Sequence, residues 1–304
     1  MGKQNRLLLI YNPHARSGKS ITDVPDILEY FKDHGVSVDV VETNGPDDAT
    51  KKAAAACATY ATIVAAGGDG TINEVINGIV SGKNKKKNKN KKQPRLGIIP
   101  MGTENVLAQE LGISLDPYKA CERIIKGTAH TVDLGLARTS TKKRYFIIAS
   151  GIGFDAHIAN SIDPALKKLI GSTAYVLTGL RELFNYTPSN MRIKINGVEC
   201  RGYFVIVGNA KLYGGGTMLT HKADMTDGLL DACILQSRDV FNFIKFLFGV
   251  AIQKHDYFEN VVYAHTKKLS IESDKPVLVH VDCEILGTTP VEIQVCPKKL
   301  EIIH

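Results

Sequence analysis

The sequence predicts an N-terminal α/β domain, with a parallel sheet covered by helices on both faces, followed by an antiparallel β domain. Over the first 135 residues, short apolar runs alternate with helical stretches, a pattern typical of parallel strands joined by helices. Beyond that point most runs are strand-like and are separated by turn residues. We therefore place the first domain at 1–135 and the second at 136–290.

The elements of the first domain follow one another in a regular order. Residues 6–12 (RLLLIYN) are predicted to form a buried strand, and residues 21–35 (ITDVPDILEYFKDHG) show helical periodicity with a glycine stop at Gly35. Residues 36–43 alternate as a strand does, and the alanine-rich stretch 46–60 opens with acids, as a helix N-terminus prefers. After these come a strand with a glycine turn (61–71), a helix (72–80), a strand (95–100), a polar turn (101–105) and a helix (106–112).

The second half contains mainly strand-like runs. Asn196-Gly197 lies within one of them and suits a type I′ hairpin turn. Two stretches, 162–184 and 239–255, have helical character instead. This half is therefore predicted to be an antiparallel β domain with inserted helices.

Composition excludes several classes of protein. The formal net charge is +7, but Lys83 to Lys92 alone holds seven lysines and no acid, so the remainder sums to 7 − 7 = 0 and no nucleic-acid-binding face is expected. This lysine loop either strengthens adsorption to anionic membranes or is a solvated insertion. The six cysteines are scattered, which argues against disulfides or a zinc site and favours the cytoplasm. No stretch predicts a secretory signal or a transmembrane helix.

Three loops follow predicted parallel strands and open helices: NPHARSGKS (12–20), GGDGTINE (67–74) and MGTEN (101–105). Ligands of such sheets bind outside the carboxyl ends of the strands, so the three loops are expected to share one edge. The first loop ends like a phosphate-binding P-loop. Pro13, however, stands where that motif has its first glycine and lacks an amide hydrogen, so the likeness is read as coincidence.

The glycine loop 67–71 is the strongest candidate for a phosphate site. Successive glycines let backbone N–H groups surround an anion, and the helix that follows adds a partial positive charge. Asp69 within this loop would hold Mg²⁺ or orient a hydroxyl, the alternative being a tight turn with Asp69 as the N-cap. In the loop 101–105, Thr103 and Asn105 suit a phosphate or ribose, or else cap a helix.

Two groups of acids stand out in the second half. Asp224, Asp227 and Asp231 surround Gly228, which suits either a hard-cation site or an Asp-Gly turn. Asp282 and Glu284 lie two apart within a strand-like run, so both are expected to point to one face. Such a pair could supply a general base and an assisting acid or metal contact, or lie on a solvated edge.

These stretches together resemble a known family. NPHARSG, GGDGTINEVINGI and MGTENVLAQELG, in that order, are similar to the catalytic domain of diacylglycerol kinases, sphingosine kinases and soluble bacterial lipid kinases. IIASGIGFDA, GNAKLYGGG, DGLLDACIL and VDCEIL are similar to that family's second domain. The resemblance implies an ATP-binding α/β domain and a β-sandwich, an active site in the cleft between them, and a final strand, from about 291 to 304, that returns to the first domain.

The resemblance also implies site residues. Glu284 corresponds to the catalytic base of bacterial members and Asp69 to that of sphingosine kinases, with Asp282 as the acid paired to Glu284. Asp227, with Asp224 or nearby carbonyls, resembles a structural Mg²⁺ site, and Asp69 is expected near the Mg²⁺ of the nucleotide. The implied nucleotide contacts are Asn12, Pro13, His14, Ala15, Arg16, Thr43, Gly67, Gly68, Asp69, Gly70, Thr71 and Asn73, with Thr103 and Asn105 nearby.

The implied reaction is Mg²⁺-dependent transfer of the γ-phosphate of ATP to a lipid hydroxyl. The acyl chains would lie in an apolar groove, and FNFIKFLFGV (241–250) is a candidate for its wall or for membrane contact, although a core-facing helix is favoured. The expected setting is the cytoplasm, with peripheral contact at the inner face of the membrane and room for a homodimer.

Two departures from the family pattern leave the acceptor lipid open. Cys283 replaces the glycine between the paired acids, and Val106 stands where many bacterial members have an aspartate. The alternatives are an NAD kinase-like phosphotransferase, which would not ordinarily begin with this Asn-Pro loop, and an inactive nucleotide- or lipid-binding regulator, against which the retained acids argue.

Overall fold

The structure, a computed structural model, describes residues 6–15, 19–82, 92–161 and 187–304. It divides into two compact units, the first comprising residues 1–132 and 298–304 and the second Asp133–Pro297. The predicted helical stretch 162–184 and residues 83–91 of the lysine loop lie outside the described residues. Lys92, at the end of that loop, forms an exposed ion pair with Glu301.

The first unit is the expected α/β domain. Its strands and helices are β1 (Arg6–Tyr11), α1 (Lys19–Asp33), β2 (Ser37–Glu42), α2 (Asp48–Ala56), β3 (Thr62–Gly67), α3 (Asp69–Ser81), β4 (Arg95–Pro100), α4 (Val106–Glu110) and α5 (Pro117–Lys126). The strands pair in parallel in the order β2-β1-β3-β4. Near the C-terminus, Ile302 pairs in parallel with Leu96 of β4.

The apolar runs form the strands because both faces of this sheet are covered. Every residue of β3 is buried, and Leu7 to Ile10 of β1 are buried as well. A continuous apolar run, rather than an alternating one, is what such a strand requires. The four parallel strands therefore end at one edge, and each of the candidate loops begins there.

Helices α2 and α3 pack closely, and a carboxylate from α3 supports the start of α2. The N-cap of α2, Asp47, makes no side-chain capping bond. Glu74 of α3 instead accepts the backbone N–H groups of Asp47 at 2.9 Å and Ala49 at 3.1 Å. These amides belong to the first turn of α2, which has no partners of its own within the helix. The Asn-Glu of the GGDGTINE motif therefore contributes directly to the packing of the unit.

The second unit is built from antiparallel strands. They are β5 (Ala129–Thr139), β6 (Lys143–Phe146), β7 (Ala149–Gly153), β8 (Met191–Ile195), β9 (Val198–Gly202), β10 (Phe204–Gly208), β11 (Leu230–Leu235), β12 (Val261–Thr266), β13 (Lys268–Ser273), β14 (Leu278–Val281), β15 (Glu284–Thr288) and β16 (Val291–Ile303). The first residues of β5 and the last residues of β16 belong to the first unit. Among the described residues of this unit, two α-helices accompany the strands, α6 (Phe154–Ser161) and α7 (Val240–Ala251). One sheet has the order β12-β11-β10-β7-β14-β15, and the other contains the run β16-β13-β8-β9.

A single hydrophobic core joins these two sheets. Buried side chains from the first sheet, such as Ile152 and Val205, belong to the same cluster as Ile193 and Leu269 from the other. Side chains of strands packed face to face alternate between core and surface, as the burial of β8 shows. The second unit is thus a β-sandwich, as the family resemblance implied.

The predicted hairpin at Asn196-Gly197 is confirmed. Both residues have positive φ, 52° and 80°, and Ile195 pairs with Val198 across the turn. Helix α7 faces the core on one side, as the favoured interpretation predicted: Phe246, Gly249 and Val250 are buried. On its other side, Phe241 and Phe248 are exposed. The helix has a second apolar face that the favoured core-facing interpretation did not anticipate.

Candidate active site

The candidate loops of the first unit meet at the carboxyl edge of its sheet, as predicted. Asn12 links the first two: its side-chain N–H donates to Thr71 Oγ1 at 3.2 Å, and its Oδ1 accepts the backbone N–H of His14 at 2.9 Å. At the next strand, the Thr43 N–H donates to the carbonyl of Tyr11 at 2.9 Å. Residues at the ends of three neighbouring strands, β2, β1 and β3, are therefore joined along one edge.

Glycines allow the second and third loops to touch. A Cβ on Gly102 would lie 2.5 Å from the Cα of Gly68, and a Cβ on Gly68 would lie 3.2 Å from the Cα of Gly102. Asn105 fixes the same turn, because its Oδ1 accepts the Gly102 N–H at 2.7 Å and its side-chain N–H donates to the Gly102 carbonyl at 3.0 Å. The two backbones approach within a distance that only paired glycines permit.

Asp69 fastens the glycine loop to the start of α4. Its two carboxylate oxygens accept the N–H groups of Val106 at 3.1 Å and Leu107 at 3.0 Å. Burial raises the pKa of this carboxyl, and the bonds from Leu107 and Val106 act in the opposite direction. The Asp69 side chain thus caps the start of α4. Asp69 itself is the first residue of α3, and the N-cap of α3 is Gly68 rather than Asp69.

The remaining predicted nucleotide contacts differ in their surroundings. Asn73 is buried within α3, where Asn77 donates to its side-chain oxygen, so it supports the helix from inside. Thr103 and His14 are exposed at the edge, whereas Pro13 and Ala15 are buried. Gly67 and Gly70 flank the turn, and the Gly67 carbonyl accepts the Met101 N–H. Arg16 lies outside the described residues.

The predicted pair of acids in the second unit has a different geometry from the one expected. Asp282 and Cys283 have φ of 45° and 66°, and Val281 pairs with Glu284, so the two residues form a hairpin turn between β14 and β15. The expectation that Asp282 and Glu284 share one strand face is therefore wrong. The turn reverses the chain between them.

Asp282 is buried and accepts three backbone N–H groups. They belong to Ile147, Ile148 and Ala149, each at 3.0 Å, in the break between β6 and β7. Asn209 completes the same connection, because its side chain donates to the Ile147 carbonyl at 2.9 Å and its backbone N–H to the Ile148 carbonyl at 2.8 Å. The strand-like run KKRYFIIASGIGF (142–154) is therefore divided here into β6 and β7.

Glu284 is the more accessible of the two acids. Its carboxylate pairs with the Arg144 guanidinium at 2.7 Å, and about a third of the Glu284 side chain remains exposed, since its relative exposure is 37%. Arg144 lies on β6 within a short polar run, with 17% of its side chain exposed, and the sequence contains no signal that predicts this pairing. Similarly, nothing in the sequence marks Asn209 as the partner of the 147–149 connection.

The acids around Gly228 form a compact turn with hard oxygen ligands. Asp224 Oδ1 accepts from Thr226 N and Oγ1 at 2.9 and 2.7 Å, Asp227 Oδ1 accepts the Leu229 N–H at 2.8 Å, and Asp133 Oδ2 accepts the Gly228 N–H at 2.6 Å. The hydrogen bonds from Thr226 lower the pKa of Asp224, which keeps that carboxylate ionised.

Such a donor set fits Mg²⁺ if water completes its shell. Within the ranges that the structure describes, no three acidic, histidine or cysteine side chains form a metal cluster. Mg²⁺ commonly uses one or two carboxylates and keeps several waters, so Asp224 and Asp227 with nearby carbonyls would suffice.

Comparison with known proteins identifies the family. The Diacylglycerol kinase catalytic domain matches residues 6–137, and the YegS C-terminal NAD kinase beta sandwich-like domain matches residues 148–304. A diacylglycerol kinase of Bacillus subtilis (strain 168) is 30% identical over 293 residues, covering 94% of this chain and 92% of that protein. The chain belongs to the diacylglycerol kinase family. It is therefore a kinase.

Other members of the family are similar over the full length. A diacylglycerol kinase of Staphylococcus carnosus (strain TM300) is 28% identical, covering 98% of this chain and 95% of that protein. A crystal structure of a diacylglycerol kinase from Bacillus anthracis str. Sterne is similar to this chain with a TM-score of 0.70 at 23% identity. The match covers 100% of this chain and 98% of the chain in that crystal structure. A second structure from that organism has a TM-score of 0.81 at 24% identity, covering 100% of this chain and 96% of its own. These structures show that the fold is shared.

None of the helices in the described ranges is both long and apolar enough to cross a membrane.

The Asp282–Cys283 turn generates a prediction about stability. Cys283→Gly should raise the free energy of unfolding by about 0.5 to 1 kcal/mol, because glycine adopts positive φ without strain. Asp282→Asn should lower it by about 2 to 3 kcal/mol, because an amide group would face N–H donors and the charge that strengthens their bonds would be lost. Urea unfolding followed by circular dichroism measures both, and equal stabilities for all three proteins would refute the assignment of these roles.

Proposed function

We propose that this kinase transfers the γ-phosphate of ATP, with Mg²⁺, to the hydroxyl of a diacylglycerol-like lipid. The observation that carries the proposal is the contact of Gly68 with Gly102, which leaves backbone rather than side chains at the carboxyl edge of the first sheet. The acceptor is inferred from full-length relatives that are diacylglycerol kinases. Since diacylglycerol resides in bilayers, the enzyme would act at a membrane surface.

The glycine loop suits a triphosphate for electrostatic reasons. Backbone N–H groups at the start of α3 carry partial positive charge, and an anion placed there needs no side-chain cation. The hydrogen bond between Asn12 and Thr71 holds the first loop against this turn, so this part of the binding surface would be formed before the nucleotide binds. Mg²⁺, when bound, would neutralise charge on the transferred phosphoryl group.

The acids of the motifs would divide into positioning and proton-accepting roles. Asp69 and Asp282 each use both carboxylate oxygens to accept backbone N–H groups, which suits residues that hold loops in place. Glu284 is accessible, and its carboxylate pairs with a side-chain guanidinium rather than with backbone amides, so it is better placed to reach the lipid hydroxyl and accept its proton. We therefore assign the general base to Glu284.

One observation favours a second candidate. The domain that matches residues 148–304 is described by its likeness to the β-sandwich of NAD kinase, so NAD is a plausible competing acceptor by fold. Fold alone does not determine an acceptor, because unrelated substrates are bound by the same architectures. An assay that offers both kinds of acceptor separates the two functions.

The acceptor is tested with γ-labelled ATP and Mg²⁺ on separate samples of diacylglycerol, monoacylglycerol, sphingosine and NAD, each lipid dispersed in detergent micelles. We expect label in the product of diacylglycerol, because the reaction needs a lipid hydroxyl beside the nucleotide. Labelled NADP with no labelled lipid would overturn the proposal in favour of the second candidate. No labelled product from any acceptor would favour a binding protein without catalysis.

Substitution of the assigned base gives a second prediction. Glu284→Gln keeps the shape of the side chain but cannot accept the proton, so kcat should fall about a hundredfold or more while the KM for ATP changes little. Glu292→Gln is the matched control, because Glu292 also lies on a strand of the second unit and pairs with a cation, Lys268, at 2.7 Å. Wild-type kcat in Glu284→Gln would remove that residue from the mechanism.

A further inference from the structure

Helix α7 has an exposed apolar face in addition to the face that it packs on the sandwich. On the inner side, Phe246 contacts Phe204 with ring centroids 5.6 Å apart, and Phe243 meets Phe154 edge-on at 5.1 Å. On the outer side, Phe241 and Phe248 are 74% and 65% exposed. Packing among the described residues of the second unit therefore accounts for only one of the two apolar faces of this helix.

The exposed side chains form one cluster. Six of the ten large hydrophobic residues exposed in the described parts of the chain lie between 241 and 257. Positions 241, 244, 248 and 252 follow the spacing of residues on a single side of a helix. We call this set the α7 face; it consists of Phe241, Ile244, Leu247, Phe248, Ile252 and Tyr257.

Basic groups surround the α7 face. Arg238, Lys245 and Lys254 are exposed within the same segment. The two acids of residues 238–257 are already engaged: Asp239 caps α7 by accepting the Asn242 N–H at 2.9 Å, and Asp256 pairs with Lys222 at 2.7 Å. Asp239, Asp256 and the exposed Glu259 offset most of this charge. With Lys222 included, four basic groups face three acids, which leaves a small excess of positive charge beside the apolar stripe. An apolar stripe with a positive border favours anionic lipid headgroups above acyl chains.

The area of the α7 face favours a bilayer over a second protein chain as its partner. A helix of 12 residues is about 18 Å long and about 10 Å wide, so one side presents about 200 Å². A stable protein interface buries about 800 Å² on each partner, several times more than this face offers. Insertion into a lipid surface has no such threshold, because each apolar side chain gains independently on leaving water.

We propose that the α7 face docks on an anionic bilayer, with Phe241 and Phe248 inserted among the acyl chains and the basic groups at the headgroups. The inference rests on the proposed function, since a kinase of a membrane lipid must reach its acceptor from the water phase. Lys245 supports this arrangement, because its ammonium lies over the Phe258 ring at 5.1 Å and leaves the apolar stripe uncovered.

Vesicle binding tests the docking without catalysis. The full chain is sedimented, without ATP or diacylglycerol, with vesicles of phosphatidylcholine alone or mixed with phosphatidylglycerol. We expect binding to the anionic vesicles that weakens about tenfold or more in Phe241→Gln/Phe248→Gln, because both apolar contacts are lost. The matched control is Leu115→Gln/Val198→Gln, which removes two exposed apolar side chains outside the α7 face and should bind as wild type does.

A spectroscopic variant keeps the test independent of the folding of the double variant. The chain contains no tryptophan, so Phe248→Trp places a single reporter on the α7 face and Val198→Trp places one elsewhere. Emission from Phe248→Trp should shift to shorter wavelength on anionic vesicles and be quenched by brominated acyl chains, whereas Val198→Trp should show neither change.

The outcomes distinguish docking from the proposed function. Unaltered emission from Phe248→Trp, or equal vesicle binding by the two double variants, would overturn the α7 assignment even if diacylglycerol in micelles is phosphorylated. Vesicle binding with no phosphorylation of micellar lipid would instead overturn the function and leave the docking surface intact. A wild-type dimer in ultracentrifugation that Phe241→Gln/Phe248→Gln converts to monomer would identify the face as a contact between copies and refute lipid docking.

Discussion

Carboxylates that accept backbone N–H groups determine the shape of both candidate regions. Asp69 joins the glycine loop to the first turn of α4, and Asp282 holds the break between β6 and β7. An ionised acceptor makes stronger bonds than a neutral one, and one carboxylate can satisfy several amides that would otherwise be buried without partners. The loops can therefore be irregular, as ligand contact requires, without being loosely held.

This constraint explains why acids occur in motifs otherwise rich in glycine. Gly68 and Gly102 permit close approach of two backbones but supply no side chain that could keep them together. Asp69 and Asn105 supply the attachment from either side. Glu74 does the same for the start of α2. An acid in such a motif is thus needed first to hold the loops together. A catalytic role can use only the accepting positions of the carboxylate that these hydrogen bonds do not occupy.

Much of the first unit was predictable, because alternating apolar runs and helices allow few arrangements. Once the sheet is parallel, the ends of its strands meet at one edge, and the contact of Asn12 with Thr71 follows from that rule. The turn at Asp282-Cys283 was not predictable in this way. Asn196-Gly197 predicts a hairpin because both residues readily take positive φ. Cysteine rarely does, and the apolar residues on both sides of Asp282-Cys283 resembled a continuous strand. Periodicity likewise could not show that α7 has two apolar faces of which packing covers one.

We infer that Asp69 shapes the proposed nucleotide site by binding the amides of α4, and ATP affinity measured in EDTA tests this role without a metal contribution. Asp69→Asn should bind ATP about tenfold or more weakly by calorimetry, because an amide group would repel one of the N–H groups that it must hold. Asp116→Asn is the control, since Asp116 also accepts two amides, those of Tyr118 and Lys119, at the start of another helix. Wild-type ATP affinity of Asp69→Asn in EDTA, together with loss of its activity when Mg²⁺ is present, would show that Asp69 acts through the metal and does not shape the site.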